Sequence, residues 1–302
     1  MNLVLKNILA GLVSAIFLGA CSAEKFAVNK IGDALSSGGG VYLSDEDPEL
    51  VKEAIPFGLK TYESLLDVSP EHEGLLLAAA SGFAAYAYLL QQEADIIDED
   101  DYRRARKLRA RASKLYLRGR NYAFRGLDLK YPGFAASLAT DPDTTLAGTD
   151  EEDIPFLYWG GAAWAGALTA AKDDPDLIAG LPFAAAMVGR VLELDETFEE
   201  GAAHEFFLGY EAGRAGGDIE KAKGHYDSAL AISGGKKASL YLSYAESILV
   251  QEQNLAEFRR YLDAALAIDP DAWPELRLVN TLAQERAEWL HDSIPDLFLD
   301  AD

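Results

Sequence analysis

The chain has 302 residues, of which 50 are acidic and 27 are basic, and its formal net charge at pH 7 is −23. Binding to nucleic acid or to an anionic lipid surface depends on Lys and Arg, so this charge argues against both roles. Apolar residues make up 49% of the chain, which is enough for a large core. Abundant alanine and few β-branched residues indicate helices and predict an all-α fold.

The first element is a short apolar run, from about Ile8 to Ala20, which ends at the only cysteine, Cys21. A charged start, a short apolar core and small residues before a cleavage site are typical of a secretory signal. The run is shorter than the roughly 20 residues that a membrane-spanning helix needs. The stretch "LGAC" resembles the lipobox of bacterial lipoproteins, whose cysteine is acylated after cleavage just before it. We therefore expect a signal peptide over residues 1–20 and lipid attachment at Cys21; the alternative is a buried apolar cysteine.

The residues after Cys21 predict a tether that leads to a folded domain. Ser22 follows the cysteine, which in enteric lipoproteins permits sorting to the outer membrane, so we expect a periplasmic protein anchored there. Phe26 to Leu35 form a short amphipathic segment, and Ser36 to Gly40, "SSGGG", are predicted to be a flexible joint. We assign residues 21–47 to a lipidated tether and linker, and residues 48–302 to a helical domain.

Two long helices of opposite character come next. The stretch "EGLLLAAASGFAAYAYLLQQEADIIDEDD" is apolar on nearly every face up to Gln91, which indicates a buried helix. The following segment, Asp101 to Lys130, carries ten basic residues between Arg103 and Arg125 and a narrow apolar stripe. This basic face has two interpretations: a solvated surface whose charges meet nearby carboxylates, or a docking surface for an acidic partner. The candidate docking residues are Arg103, Lys107, Arg111, Lys114 and Arg118.

An Asp-rich stretch from Thr140 to Glu152 is predicted to be a loop, and a helix with many small residues, "DIPFLYWGGAAWAGALTAAKDDP", follows it. Trp159 and Trp164 on this helix are five residues apart and point about 140° from each other, so they cannot both fill one small core site. The aromatic residues are therefore either filler between closely packed helices or the wall of a ligand path. The second interpretation combines rings from two helices with room left by Gly160, Gly161 and Gly166; its candidates are Tyr86, Tyr88, Tyr158, Trp159 and Trp164.

Four segments end alike and indicate a repeat. They align on Leu66, Leu192, Leu230 and Leu266 in "YESLLDVSP", "VGRVLELDE", "YDSALAISG" and "YLDAALAIDP". The last two resemble the second helix of tetratricopeptide repeats, in which helical hairpins stack because none can bury its apolar face alone. The copies are degenerate and the first two are far apart, so we expect a globular helical-hairpin repeat domain rather than a regular solenoid.

The sequence contains no complete set of catalytic or metal-binding residues. The stretch "HEFFL" begins like a zinc-protease motif at His204 but has Leu208 where the second histidine belongs. The glycines at Gly38 lack the preceding strand and following basic residue of a phosphate loop, and the acidic run from Asp95 to Asp101 lacks the spacing of a calcium loop. We therefore expect no enzyme activity, no metal and no cofactor.

Several long stretches in this chain resemble the T-component of TRAP-type transporters, a family of exported helical-repeat lipoproteins. The resemblance is carried, in this order, by "DEDPELVKEAIPFGLKTYESLL", "LLLAAASGFAAYAYLLQQEAD", "LYWGGAAWAGALTAAKDDP", "GAAHEFFLGYEAG" and the C-terminal stretch from "LYLSYAESILV" to "AEWLHDS". It implies a helical fold related to tetratricopeptide repeats, self-association into a trimer, and association with the periplasmic solute-binding subunit of a tripartite ATP-independent transporter. The resemblance also implies that the protein helps to deliver a poorly soluble ligand, and it identifies no catalytic residue.

Two functional interpretations follow. The first is a tethered transporter accessory that binds the solute-binding subunit and a small apolar ligand. The second is a structural helical-repeat scaffold of another envelope assembly, without a ligand. Neighbouring genes for a solute-binding protein and membrane permease subunits would favour the first.

Cys21→Ala is expected to abolish acylation and to leave a soluble or poorly processed protein, because the thiol of Cys21 is the acceptor in the lipobox-like stretch. Metabolic labelling of wild type and variant with a fatty acid measures this. Label that persists in the variant would show that the anchor lies elsewhere.

Overall fold

The computed structural model describes Lys25 and residues 27–299, and Cys21 lies outside them. Helices dominate this part of the chain and no strand occurs in it, which confirms the predicted all-α fold. The first half contains, in order, α1 (27–36), α2 (Gly39–Leu43), α3 (Pro48–Val68), α4 (Glu73–Ile96), α5 (Tyr102–Lys130), α6 (Phe134–Thr140) and α7 (Pro142–Ala147).

The second half begins with α8 (Ile154–Ala170) and α9 (Pro175–Leu194), followed by α10 (Ala202–Gly213) and α11 (Ile219–Ser233). Helix α12 (Ala238–Tyr244) runs into a π-helical turn, Ala245–Leu249. The chain ends with α13 (Leu255–Leu266), α14 (Arg277–Asp292) and α15 (Ile294–Leu297). Short 3₁₀ turns at Glu151–Asp153, Phe198–Glu200, Pro270–Ala272 and Pro274–Leu276 connect these helices.

Two segments that were predicted to be irregular are helical. Helix α2 begins at Gly39, inside the predicted flexible joint, and α1 packs on the α3–α4 turn, where Ser69 donates a hydrogen bond to the Asn29 side chain at 2.6 Å. Most of the predicted loop from Thr140 to Glu152 forms α7 and a 3₁₀ turn. The reason is that Asp141 caps α7 and Pro142 takes its first position, a helix-start pair that the loop prediction overlooked.

The core of the first half is built from α4, α5, α8 and α9, which pack on one another in sequence. Helix α4 buries residues on every side, as its apolar composition predicted, while α5 buries only its narrow stripe of mostly small residues. By length and composition alone, α4 and α9 are also apolar enough to cross a membrane. Core helices satisfy the same criterion, and α4 packs against α3, α5 and α8.

The tetratricopeptide-like positions of the second half form its core. Ala222, Tyr226 and Ala229 of α11 are buried, as are Phe258 and Leu262 at the matching positions of α13. Helix α10 pairs with α11, and α12 pairs with α13, so each motif residue packs within or between hairpins. The motif therefore identified core positions correctly.

The helical array closes on itself. The last long helix, α14, packs against α2 and α3 at the start of the chain. Arg277 at its beginning donates a hydrogen bond to the carbonyl oxygen of Ser44 at 3.1 Å, and Arg286 lies 4.0 Å from Asp95 of α4. An open solenoid would keep its first and last helices apart. These contacts between the two ends of the array show that it is closed.

The glycines of α8 do not leave free space, which corrects the expectation that they make room for a ligand. A Cβ on Gly161 would lie 2.7 Å from the carbonyl oxygen of Ala184, one on Gly160 would meet Met187, and one on Gly166 would meet Tyr116. The neighbouring elements already occupy these positions, because small residues let helices approach until their atoms touch. Gly161→Leu would consequently disrupt the contact between α8 and α9 rather than fill a cavity.

Gly161→Ala is expected to lower the free energy of unfolding by about 1–3 kcal/mol, since its methyl group would clash with the α9 backbone. Gly224→Ala is the matched control, because Gly224 lies in α11 with open space around the Cβ position. There alanine is expected to stabilise the helix by up to about 1 kcal/mol. Urea unfolding at neutral pH measures both; equal effects of the two substitutions would contradict close packing at Gly161.

Candidate functional site

Tyr88 of α4 is exposed to solvent although charged side chains of other helices lie near it, and we name the space beside it the recess. Its side chain exposes 45% of its surface, yet burial by surrounding protein and the charge of Glu246 raise its pKa to about 12. A tyrosine on an open surface would be fully hydrated and would keep its ordinary pKa. Tyr88 is therefore accessible and also surrounded by protein, as expected for a residue in the wall of a recess.

Two rings of α8 are candidates for the same recess. Tyr158 and Trp159 are half-buried and contact each other edge to face, with ring centroids 5.3 Å apart. Burial, followed by the charges of Glu199 and Glu205, raises the pKa of Tyr158 above its ordinary range. The charge of Glu205 also acts on Tyr88, so the two tyrosines face one region although they lie on different helices.

Several charged side chains lie near these tyrosines. Lys237, which precedes α12, makes an ion pair with Glu205 of α10 at 2.6 Å, and both side chains are largely buried. Burial alone would raise the pKa of Glu205, but the charge and hydrogen bond of Lys237, with a bond from Ser239, lower it below its ordinary value. Gly209, one turn further along α10, has no described atom within 4 Å of its Cβ position, so there is open space beside this pair.

The turn before α10 supplies two more carboxylates in an unusual conformation. Glu199 and Glu200 have φ values of 44° and 57°, in the left-handed region that costs a non-glycine residue about 1–2 kcal/mol. Burial raises the pKa of Glu199, although Lys237 and a hydrogen bond from the Trp159 indole act in the opposite direction. One carboxylate oxygen of Glu200 is buried with no hydrogen-bond partner among the described residues. Strained residues of this kind often occur at functional sites.

The structure divides the five aromatic residues predicted to form a ligand path. Tyr88 is exposed and Tyr158 and Trp159 are half-buried, so these three stay candidates for a ligand path. Trp164 instead stacks on Phe183 at a centroid distance of 6.1 Å, and Tyr86 is buried, with its hydroxyl 3.2 Å from a nitrogen of Arg111. Trp164 and Tyr86 therefore belong to the packing between helices.

The basic face of α5 is also divided. All five predicted docking residues are exposed, but Arg118 pairs with Glu63 and lies over the Phe83 ring, and Arg111 lies over the ring of Tyr86. Within the described chain, the remaining three have no carboxylate within ion-pair distance: Arg103, Lys107 and Lys114. These three form the basic stripe of α5.

Other polar clusters give no metal site. His204 and His225 are hydrogen-bonded through their Nδ1 atoms at 2.9 Å, and Phe207 stacks on His225. Throughout residues 27–299 there is no group of three or more His, Cys, Asp or Glu arranged to hold a metal ion. Two surface pockets, one beside the α3–α4 turn and one beside Phe198, are lined by residues other than the predicted aromatic set.

Sequence reasoning did not find the charged wall of the recess. Glu199, Glu205, Lys237, Glu246 and Arg286 are spread over more than 80 residues, and none belongs to a motif. The one local signal is "HEFFL", an incomplete zinc-protease motif whose glutamate, Glu205, pairs with Lys237.

The described residues form a closed array of helical hairpins. The family of the TRAP transporter T-component matches residues 44–298, so the chain belongs to this family. A relative from Treponema pallidum (strain Nichols), described as an uncharacterized protein, is 31% identical over 268 residues, which cover 86% of this chain and 83% of the relative. Membership confirms the resemblance found in the sequence and makes the chain an accessory component of a TRAP transporter, a class not known for enzymatic activity.

Lys237→Met is expected to lower the free energy of unfolding at pH 7 by about 3 kcal/mol, because it leaves Glu205 buried without its cation. Lys30→Met is the control, since its ion pair with Asp33 is exposed and contributes about 0–1 kcal/mol. Because the folded-state pKa of Glu205 is lowered, the stabilisation from the pair is present above the unfolded pKa of about 4.3 and is lost as pH falls through the folded value. Urea unfolding should therefore show the difference between wild type and Lys237→Met shrinking as pH falls towards about 4 and below, since Glu205 of the variant, buried without a cation, becomes protonated first. A difference that does not vary with pH would contradict the ion-pair account.

Proposed function

We propose that this chain is a membrane-tethered periplasmic subunit that binds the solute-binding subunit of its TRAP transporter and accommodates a small apolar ligand in the recess. Family membership supports the accessory role in transport. The observation that carries the ligand proposal is Tyr88, a side chain that is accessible to solvent although the closed array surrounds it.

The composition of the recess suits a small molecule. The rings of Tyr88, Tyr158 and Trp159 supply apolar surface from two helices, and the pair of Glu205 and Lys237 supplies a few polar atoms nearby. Ligand sites in proteins combine a mostly apolar wall with a few placed polar groups in this way. A side chain packed in the core would give neither the accessibility of Tyr88 nor the open space beside Gly209.

The basic stripe of α5 is the proposed contact with the solute-binding subunit. Arg103, Lys107 and Lys114 are exposed and without an ion-pair partner among the described residues, in a chain whose net charge is −23. A local positive surface on an acidic protein orients an acidic partner and raises its association rate. We therefore propose that the partner presents acidic residues to this stripe.

Lipid attachment at Cys21 would hold the folded domain close to the membrane, since α1 begins only a few residues further along the chain. Outer-membrane sorting and assembly into a trimer remain proposals that rest on Ser22 and on the family resemblance. In this arrangement the tether limits diffusion and keeps the subunit near its transporter.

The double reversal Arg103→Glu with Lys107→Glu is expected to weaken binding to the solute-binding subunit by about tenfold or more at low salt, and to reduce the salt dependence of binding. The matched control is Lys221→Glu with Arg259→Glu, which changes the net charge equally at exposed positions on α11 and α13. Isothermal titration calorimetry at two salt concentrations measures the affinities, and light scattering measures the oligomeric state.

If the α5 variant changes neither the affinity nor the oligomeric state, the basic face is only a solvated surface. If wild type does not bind the solute-binding subunit and binds no apolar molecule, a structural scaffold without a ligand becomes the better interpretation. Equal loss of affinity in both double variants would attribute the effect to net charge rather than to the stripe.

A further inference from the structure

The charges of the recess do not balance. The ammonium group of Lys237 is bonded to Glu205 at 2.6 Å, and the charges of Glu199 and Glu200 also act on it. One ammonium group is thus paired with one carboxylate and has two further carboxylates in its vicinity. Arg286 cannot compensate for the excess, because it is bonded to Glu246 at 2.6 Å and lies 4.0 Å from Asp95.

Two of these carboxylates are poorly satisfied. The side chain of Glu199 is exposed to solvent, but nearby protein atoms remove part of its hydration and thereby raise its pKa. One oxygen of Glu200 is buried without a hydrogen-bond partner among the described residues. A carboxylate in protein surroundings is costly unless a cation or a donor group pairs with it. The recess therefore has an unmet requirement for positive charge.

Aromatic rings lie directly beside these carboxylates. The indole of Trp159 lies near the carboxylate of Glu199, and the ring of Tyr158 lies 5.3 Å from Trp159 and 5.4 Å from Phe198. The faces of Trp and Tyr rings attract organic cations, and the attraction grows where water is excluded. An ammonium group binds well where aromatic ring faces and a carboxylate lie close together.

We propose that the recess binds an amphipathic ligand with an ammonium head group, which lies against Trp159 and Tyr158 and pairs with the carboxylate of Glu199. This inference rests on the proposal that the recess holds a ligand, and it adds the chemical class of that ligand. The alkyl portion lies along the apolar wall that includes Tyr88.

The two other classes of charged ligand fit less well. An anionic head group would meet an excess of two negative charges, because Lys237 is already paired with Glu205. A metal ion needs several oxygen or nitrogen ligands converging on one point, and the described residues provide no such group. An organic cation needs no such convergence, since ring faces supply most of its contact surface.

Three amphiphiles with one decyl chain and different head groups test the proposal: decyltrimethylammonium, decanoate and decyl maltoside. Each is titrated below its micelle concentration into the mature full-length protein, and tryptophan fluorescence and calorimetry report binding. We expect the wild type to bind the trimethylammonium probe about tenfold more tightly than decanoate. We expect Glu199→Gln to weaken binding of that probe about tenfold and to leave binding of the maltoside unchanged.

Two variants serve as controls. Glu275→Gln removes the same charge from an exposed 3₁₀ turn at the beginning of α14 and should change no affinity, which separates the site from the overall field of an acidic protein. Glu199→Asp keeps the charge and should retain more of the preference for the ammonium probe than Glu199→Gln. Equal thermal unfolding midpoints for the variants and wild type show that the fold is intact.

The outcomes separate the two proposals. Absence of a preference for the ammonium probe in wild type, or equal loss in Glu199→Gln and Glu275→Gln, would overturn the cation site. If the maltoside still binds in that case, the apolar recess stands and only the head-group assignment fails. If no probe binds to the wild type, the ligand-binding part of the proposed function fails together with the cation site.

Discussion

Closure of the helical array is the constraint on which the rest of the structure depends. Arg286 of α14 joins Glu246, after α12, to Asp95 of α4, and Asp95 also accepts hydrogen bonds from Arg109 of α5. This charged chain connects the two halves of the protein where they meet. Partly buried ion pairs offset the cost of losing water only when the charged groups meet in good geometry. They therefore favour this arrangement of the helices over other arrangements that bury a similar apolar area.

Closure turns side chains that would face solvent on an open solenoid into the wall of an interior recess. Tyr88 shows this most clearly, because it is accessible although protein surrounds it. The close contacts between α4, α5, α8 and α9 have the opposite effect: they fill the space beside Gly160, Gly161 and Gly166. We therefore place the proposed recess between the two halves and not within the first bundle. On this proposal Tyr158 and Trp159 belong to the recess, while Trp164, on the same helix, packs against Phe183.

The helices and much of the core could be predicted from the sequence because they depend on local periodicity. The apolar stretch of α4, the stripe of α5 and the repeat positions at Ala222 and Phe258 all appear as predicted. The loop prediction at Thr140–Glu152 failed because polar composition was given more weight than the Asp141–Pro142 helix start. The family resemblance was confirmed, although it could not identify which side chains line a recess.

The charged wall could not be predicted because it depends on contacts between distant residues. Glu205 and Lys237 come together only when α10 packs against α12, and no spacing rule connects them. The left-handed conformation of Glu199 and Glu200 is equally hidden, since that region of φ is usually occupied by glycine. Residues in such conformations become visible only when the surrounding structure imposes them.

The central claim is that Tyr88 lines an enclosed space that small molecules can enter, and thiol accessibility tests it most directly. Tyr88→Cys is made in a Cys21→Ser background, so that the introduced thiol is the only one in the chain. Phe57→Cys in the same background is the control, because Phe57 is 80% exposed on α3. We expect a small methanethiosulfonate to modify both thiols, and a polymer-coupled maleimide to modify only the one at position 57. Modification of both by the polymer reagent, or no modification at position 88 by either reagent, would contradict the recess.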